Sequence, residues 1–265
     1  MGLDAFYSQK YVIFLDVLGW SDLVARSETD EDARRQVALV SGKLAKAFEE
    51  AQQNVEKSEN HPATPRFEFF SDSMIITIPF LGDNVFWPEE AVFRTCENLA
   101  RATMEEGLLI RGAVTRGSIA HDADKRICVG PALLRAYSLE TKTAIYPRIV
   151  IDPNLVNYFE EHYKTMKEDA EKHLPGCSIA KPFREMDDRI PFIDYLAPRF
   201  LDKQSGKVHK NEVETFKVRT KMAQTLGRQN AKTFKDAGQV KQKYDWFTTY
   251  STEVMLRYFG RNLGK

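Results

Sequence analysis

Two aspartates stand where strand-like stretches would otherwise run on unbroken. Asp16 closes the apolar run in "YVIFLDV" (11–17), and Asp72 splits "FEFFSDSMIITIPF" (67–80). A carboxylate at a strand end or in a hairpin turn has ordinary uses as a helix cap or a turn residue. It has another use if the two strands are neighbours, because the carboxylates then converge at one end of a sheet. Paired carboxylates beside a glycine turn suit two divalent cations, which take hard oxygen ligands and keep open positions for phosphate oxygens. The turn at Leu18, Gly19 and Trp20 would then aim backbone amides at a polyphosphate.

The elements that must position these acids can be read along the chain. The 11–17 run is short, β-branched and aromatic, which predicts a buried central strand. Gly19 offers a sharp turn, Ser21 or Asp22 a helix N-cap, and Thr29 or Asp30 a second cap for a helix to about Lys57. A polar, proline-bearing loop at 58–65 leads to the hairpin at 66–80. Pro88 opens a helix that ends at Gly107, 108–122 is a strand, Pro131 opens another helix, and 147–152 is a strand. The order β-helix-β-β-helix-β-helix-β predicts an α+β fold, a largely antiparallel sheet with helices packed on one face. Residues 154–265 read as a mostly helical extension that packs on or completes a core at 1–153.

Composition excludes several classes. Among 265 residues, 38 basic and 38 acidic side chains give zero net charge, which argues against bulk nucleic acid as a partner. The Lys- and Gln-rich stretch 221–243 reads as a solvated face. No apolar run approaches the length of a membrane span, and "MGLDAFYSQK" carries neither a signal-peptide core nor a lipidation motif. Cys96, Cys128 and Cys177 form no CxxC pair and the five histidines no HxxxH pair, so neither a zinc cluster nor a disulfide framework is expected. Free thiols point to the cytoplasm.

At this point the residues carry a resemblance. "FLDVLGWSDLV" resembles the F-x-D-I-x-G-F motif of class III nucleotide cyclases, and "FFSDSMII" looks like their second metal-binding hairpin. "IRGAVTRGSI" resembles their R-x-G-x-x-x-G strand, and "GPALLRAYSLE" the helix G-x-x-V-N-x-A-S-R-x-E. The four motifs stand in order over roughly residues 8–153, and "LETKTAIYPRIVID" adds the look of the bacterial pyrimidine cyclases of Pycsar antiphage defence. The resemblance implies a ferredoxin-like core and a homodimer with active sites at the subunit interface. It also implies two Mg²⁺ or Mn²⁺ ions held by Asp16, Asp72 and the Val17 carbonyl. The implied reaction is attack of a ribose 3′-hydroxyl on the α-phosphate with loss of pyrophosphate.

The departures are informative. Leu134 and Ser138 stand where purine cyclases carry the helix Asn and the transition-state Arg, and Ile127 where an Asp reads adenine. A substitute cation is therefore needed at the α-phosphate. Arg111 and Arg135 are the first candidates, with Arg116 and Lys142 behind them, and each has a surface salt bridge as its ordinary alternative. Glu68, four residues before Asp72 and so on the same strand face, joins Phe70 and Tyr137 as candidate contacts to a base. The aromatics are equally suited to a core. Bulky walls favour a pyrimidine, and the resemblance implies a uridylate cyclase, with CTP as the alternative substrate. A silent cyclase-like binding domain, an atypical purine cyclase and a polymerase-like palm are the competing readings.

Overall fold

The structure, a computed structural model, describes residues 6–56, 65–81, 87–122, 125–233 and 235–260. The first half of the chain forms β1 (Ser8–Val17), α1 (Trp20–Ser27), α2 (Glu31–Glu56), β2 (Arg66–Phe70), β3 (Ser73–Pro79), α3 (Trp87–Glu105) and β4 (Ile110–Asp122). There follow β5 (Ile127–Val129), α4 (Pro131–Thr143), β6 (Ile149–Ile151), α5 (Pro153–His173) and β7 (Cys177–Ile179). The chain closes with β8 (Phe183–Arg184), β9 (Phe192–Ile193), β10 (Phe200–Asp202), α6 (Val213–Thr233) and α7 (Gly238–Phe259). The polar loop expected at 58–65 lies outside the described residues except for Pro65.

The principal sheet has the order β2-β3-β1-β4-β6-β9-β8, with β5 paired to β4. Every pairing in it is antiparallel except β4 with β6. The molecule is thus α+β, built on a largely antiparallel sheet with packed helices. The strand read at 11–17 is central, as its continuous apolar run requires, because both of its faces are covered. Tyr11, Ile13, Leu15 and Val17 enter the main core, to which α1–α3 and α5–α7 all contribute. Val12 and Phe14 enter a smaller cluster on the opposite face with Ala132 and Ala136 of α4. The helical layer is therefore not wholly on one face: among the described residues, α4 is the helix that packs on the second. The chain beyond residue 153 shares this architecture, since β8 and β9 extend the sheet past β6 and Phe216 and Phe247 lie in the main core.

Two glycines let α4 and the central strands approach. A Cβ at Gly112 would lie 2.3 Å from the Phe14 carbonyl oxygen and 2.5 Å from Leu15 Cδ2. One at Gly130, the residue before α4, would lie 2.6 Å from the Ser118 carbonyl oxygen. The starts of α2 and α5 follow local chemistry. Asp30 Oδ1 accepts from the Asp32 and Ala33 amides at 2.9 and 3.2 Å, and Asp152 accepts from the Asn154 amide at 3.0 Å, so both act as N-caps. At α1 the capping position is Gly19, in the left-handed region at φ 81°, and no side chain caps it. Ser21 and Asp22, expected to cap, lie inside the helix.

Candidate active site

The register brings the two acids together. Asp16 pairs with Ser73 on β3 and with Arg111 on β4, and Asp72 directly precedes Ser73 in the β2–β3 turn. That turn is tight enough to need a positive φ at Ser71, 58°. Its backbone is tied to β1 by the Val17 amide, which donates to the Asp72 carbonyl at 3.1 Å. The Ser21 hydroxyl donates to Asp72 Oδ2 at 3.2 Å, so the residue expected to cap α1 positions the second acid instead.

Arg111 Nε donates to Asp16 Oδ2 at 3.0 Å. The same nitrogen lies 2.8 Å from Glu140 Oε1 of α4, whose side chain is buried. Because the Nε proton is directed at Asp16, Glu140 gains a charge partner but no hydrogen bond at Oε1. Burial pushes the Asp16 carboxyl above the usual range; Arg111 opposes this and Asp72 adds to it. Glu140 is pushed up to about 7 by burial, against Arg111, with the charges of Asp16 and Asp72 adding. Two acids thus share one guanidinium, with Asp72 acting on both of them, an arrangement suited to receiving positive charge. Among the described residues no group of three or more His, Cys, Asp or Glu side chains gathers as a metal cluster. Asp16 and Asp72 with carbonyl and phosphate oxygens fit a two-acid site, since two carboxylates already meet there short of cations.

The other candidates divide. Leu18 is removed as a phosphate donor, because its amide already donates to the Leu109 carbonyl at 2.9 Å. Gly19 and Trp20 remain at the first turn of α1, where backbone amides have no intrahelical partner; the Trp20 side chain is buried in the core. Arg135 is not brought to the acids. Its guanidinium is bonded to Asp152, which also accepts from Thr115 at 2.8 Å. Thr115 lies four residues along β4 from Arg111, roughly 13 Å of strand. Arg116, opposite Tyr11, points to the other face of the sheet, where its guanidinium sits 4.5 Å from the Phe80 ring and 4.7 Å from the Tyr158 ring. Lys142 is exposed in the last turn of α4.

Glu68 does not share a strand face with Asp72, because β2 ends at Phe70 and Asp72 belongs to the turn. Its carboxylate instead meets His121 Nε2 at 3.1 Å, and the other ring nitrogen meets Thr77 Oγ1 at 2.7 Å. Tyr137 packs edge-on against Phe14, 5.5 Å between centroids, and keeps an exposed side. Phe70 stands 80% exposed at the hairpin tip. Glu140 and Ser21 were missed from sequence. Glu140 is the closing residue of the helix motif "GPALLRAYSLE", so its signal was present; nothing in the motif tells that it meets Arg111.

No family model matches the chain, and no curated protein does. Among solved structures it is similar to the guanylyl cyclase Cya2, at 14% identity over 71% of this chain and 91% of that one, with a TM-score of 0.40. It is similar to the adenylyl cyclase CyaB from P. aeruginosa, at 14% identity over 76% and 97% of the two chains, TM-score 0.39. A third similar structure is the catalytic core of a rhodopsin-guanylyl cyclase with converted specificity in complex with ATPαS, at 13% identity over 71% and 96%, TM-score 0.40.

Proposed function

We propose that the chain is a metal-dependent nucleotide cyclase that converts UTP, or alternatively CTP, to its 3′,5′-cyclic monophosphate. The observation that carries the reading is the meeting of Asp16 and Asp72 at the end of the central strands, beside the glycine turn that starts α1. In the reaction the ribose 3′-oxygen forms a bond to the α-phosphorus as the bond to the leaving pyrophosphate breaks, and the hydroxyl proton is lost. Asp16, Asp72 and the Val17 carbonyl would hold two Mg²⁺ or Mn²⁺ ions, which when bound supply charge neutralisation and acidify a hydroxyl. The amides of Gly19 and Trp20 orient the polyphosphate. Arg111 fixes Asp16 and, through Glu140, ties the acid to α4.

Glu68, Phe70 and Tyr137 are proposed as the base-contacting set. Leu134, Ser138 and Ile127, where a purine cyclase has polar groups, support a pyrimidine. Exposed Phe70, Leu134 and Tyr137 support a homodimer whose second copy covers them and completes the site, which is where Arg135 would act. We place the protein in the cytoplasm, its product a second messenger in antiphage defence, on the motif resemblance. Residues 1–153 are taken as the catalytic core and 154–265 as the part that completes it.

The test is incubation of the purified chain with each ribonucleoside triphosphate and Mn²⁺, read by mass spectrometry, with Asp72→Ala alongside. One cyclic pyrimidine monophosphate, absent with the variant, is the expected result. A cyclic purine product would overturn the base assignment. No cyclic product from a folded wild type would favour a silent nucleotide-binding domain.

A further inference from the structure

A cavity of about 360 Å³ opens between α3, α5 and the chain from Ile179 to Phe200. Its walls are mostly apolar: Phe93 from α3, Met166 and Leu174 from α5 and its end, and Ile179, Pro182 and Phe200 from the segment that follows. None of the residues described around Asp16 and Asp72 lines it, so it is separate from the candidate active site. An apolar hollow with a few placed polar groups is the usual form of a small-molecule site. At ~30 Å³ for each water-sized group the cavity has room for roughly a dozen of them, about the bulk of a fused two-ring molecule.

The polar side chains that line it decide what kind of molecule fits. Arg94 Nε donates to Glu90 Oε1 at 2.7 Å, and Arg199 Nη2 reaches the same oxygen at 3.5 Å. Asp169 Oδ1 lies 3.1 Å from His173 Nδ1 on the exposed side of α5. These groups already answer one another, and a charged ligand would have to part them to find a partner. Glu97 differs. It is largely buried, and Arg101 Nη2 comes within 3.4 Å of its Oε2. The Arg101 hydrogens are directed elsewhere, Nε to the Tyr195 carbonyl at 2.6 Å and Nη2 to the Ala197 carbonyl at 3.0 Å. Glu97 therefore has a neutralising charge beside it but, among the described residues, no hydrogen-bond donor. Burial holds its carboxyl above the usual range, against Arg101, Arg94 and Arg219. A desolvated acceptor without a donor is costly, and a ligand that brings one recovers the loss.

We propose that this cavity binds an uncharged, largely apolar small molecule carrying one hydrogen-bond donor, which the Glu97 carboxylate accepts. An ammonium in its place would meet the field of Arg94, Arg101 and Arg219, and a carboxylate would meet Glu90 and Glu97. A hydroxyl or ring N–H supplies the missing donor and disturbs neither ion pair. The site uses no residue of the cyclase reading and stands without it.

2-Naphthol is the probe, with 2-methoxynaphthalene as the analogue that keeps both rings and loses the donor. Naphthalene-2-carboxylate and 2-naphthylmethylammonium carry the two charges. Binding of each to the full chain at about pH 7 is measured by calorimetry for wild type, Glu97→Met and Ala170→Phe, with thermal melts to confirm folding. Ala170 lines the cavity from α5, so a phenyl group there fills part of it and leaves the carboxylate in place. Wild type should bind 2-naphthol about tenfold more tightly than its methyl ether and than either charged analogue, the worth of one hydrogen bond to a charged acceptor. Glu97→Met should bring naphthol and ether to within about twofold of each other, and Ala170→Phe should weaken both by about tenfold. Should Glu97→Met fail to fold, the wild-type comparison and Ala170→Phe decide alone. Equal binding of naphthol and ether by wild type, binding untouched by Ala170→Phe, or no binding at all overturns the proposal. A charged analogue that binds most tightly overturns the ligand class.

Discussion

Glu140 shows how one buried side chain sets the character of the site. Its carboxyl, ordinarily near 4.5, is held up to about 7 by burial against the pull of Arg111. A carboxyl that binds its proton more tightly when folded destabilises the fold once it ionises. The sign follows: this contribution costs nothing below about 4.5, grows as pH rises, and is complete above about 7. Melting in EDTA should therefore show Glu140→Gln gaining on wild type between about pH 5 and 8, with the two alike at the acid end. A Tm difference independent of pH would mean that Glu140 is ionised throughout and held by Arg111 as an ordinary ion pair. The same measurement with Mn²⁺ should narrow the gap, since added positive charge beside Asp16 and Asp72 favours the ionised acid.

Elements carry predictions of a different kind, because there the backbone decides. At Gly112 an added Cβ would meet the Phe14 carbonyl oxygen, which cannot swing away from a central strand, as well as the Leu15 side chain. Gly112→Ala should cost about 1–3 kcal/mol, seen as a Tm several degrees lower. Gly117→Ala, whose Cβ would meet only the Ala132 methyl at 3.3 Å, should cost clearly less. Equal losses would show that strand entropy, not the close approach of β1 and β4, sets the penalty. Asp152 ties β4, β6, α4 and α5 through Thr115, Arg135 and its cap. Burial would raise its pKa, but these bonds together hold it below 3.8, so its stabilisation is present above that value and is lost as pH falls through the lowered one. Asp152→Asn should cost about 1–3 kcal/mol at neutral pH, toward the low end because Arg135 is half exposed, and progressively less as the pH falls below 3.8. A cost unchanged by acid would assign the effect to packing.

These elements also show what could be read in advance. The central strand, the hairpin and the proline-opened helices announce themselves through period and punctuation, and Asp16 and Asp72 through the apolar ladders they break. The partners of Arg135 and Glu68 did not, because Asp152 and His121 meet them only after β4, β5 and β6 are paired. Glu68 was misplaced for a simpler reason: a period of two holds within a strand and stops at its turn.

At the scale of the molecule, the side of the sheet that α4 covers is underdressed among the described residues. Phe70 at the hairpin tip and Leu134 and Tyr137 on α4 are 80, 72 and 52% exposed. Tyr137 packs on Phe14 of the small cluster, and it shares α4 with Leu134 and with the cluster's Ala132 and Ala136. A stable dimer buries roughly 800 Å² per partner around a few such anchors, and a second copy meeting this face would bury its own equivalent patch in return. Leu134→Glu puts a charge at the most exposed aliphatic of the patch, where the isolated fold has nothing to lose. Sedimentation should show wild-type dimers and variant monomers with the same melting behaviour at low concentration. If the site is completed across the interface, cyclisation per mole of wild type should also fall on dilution through the dissociation range, and Leu134→Glu should be inactive at every concentration. A monomeric Leu134→Glu with full activity would confine catalysis to one chain, leaving Arg111 as the cation beside the acids that must suffice.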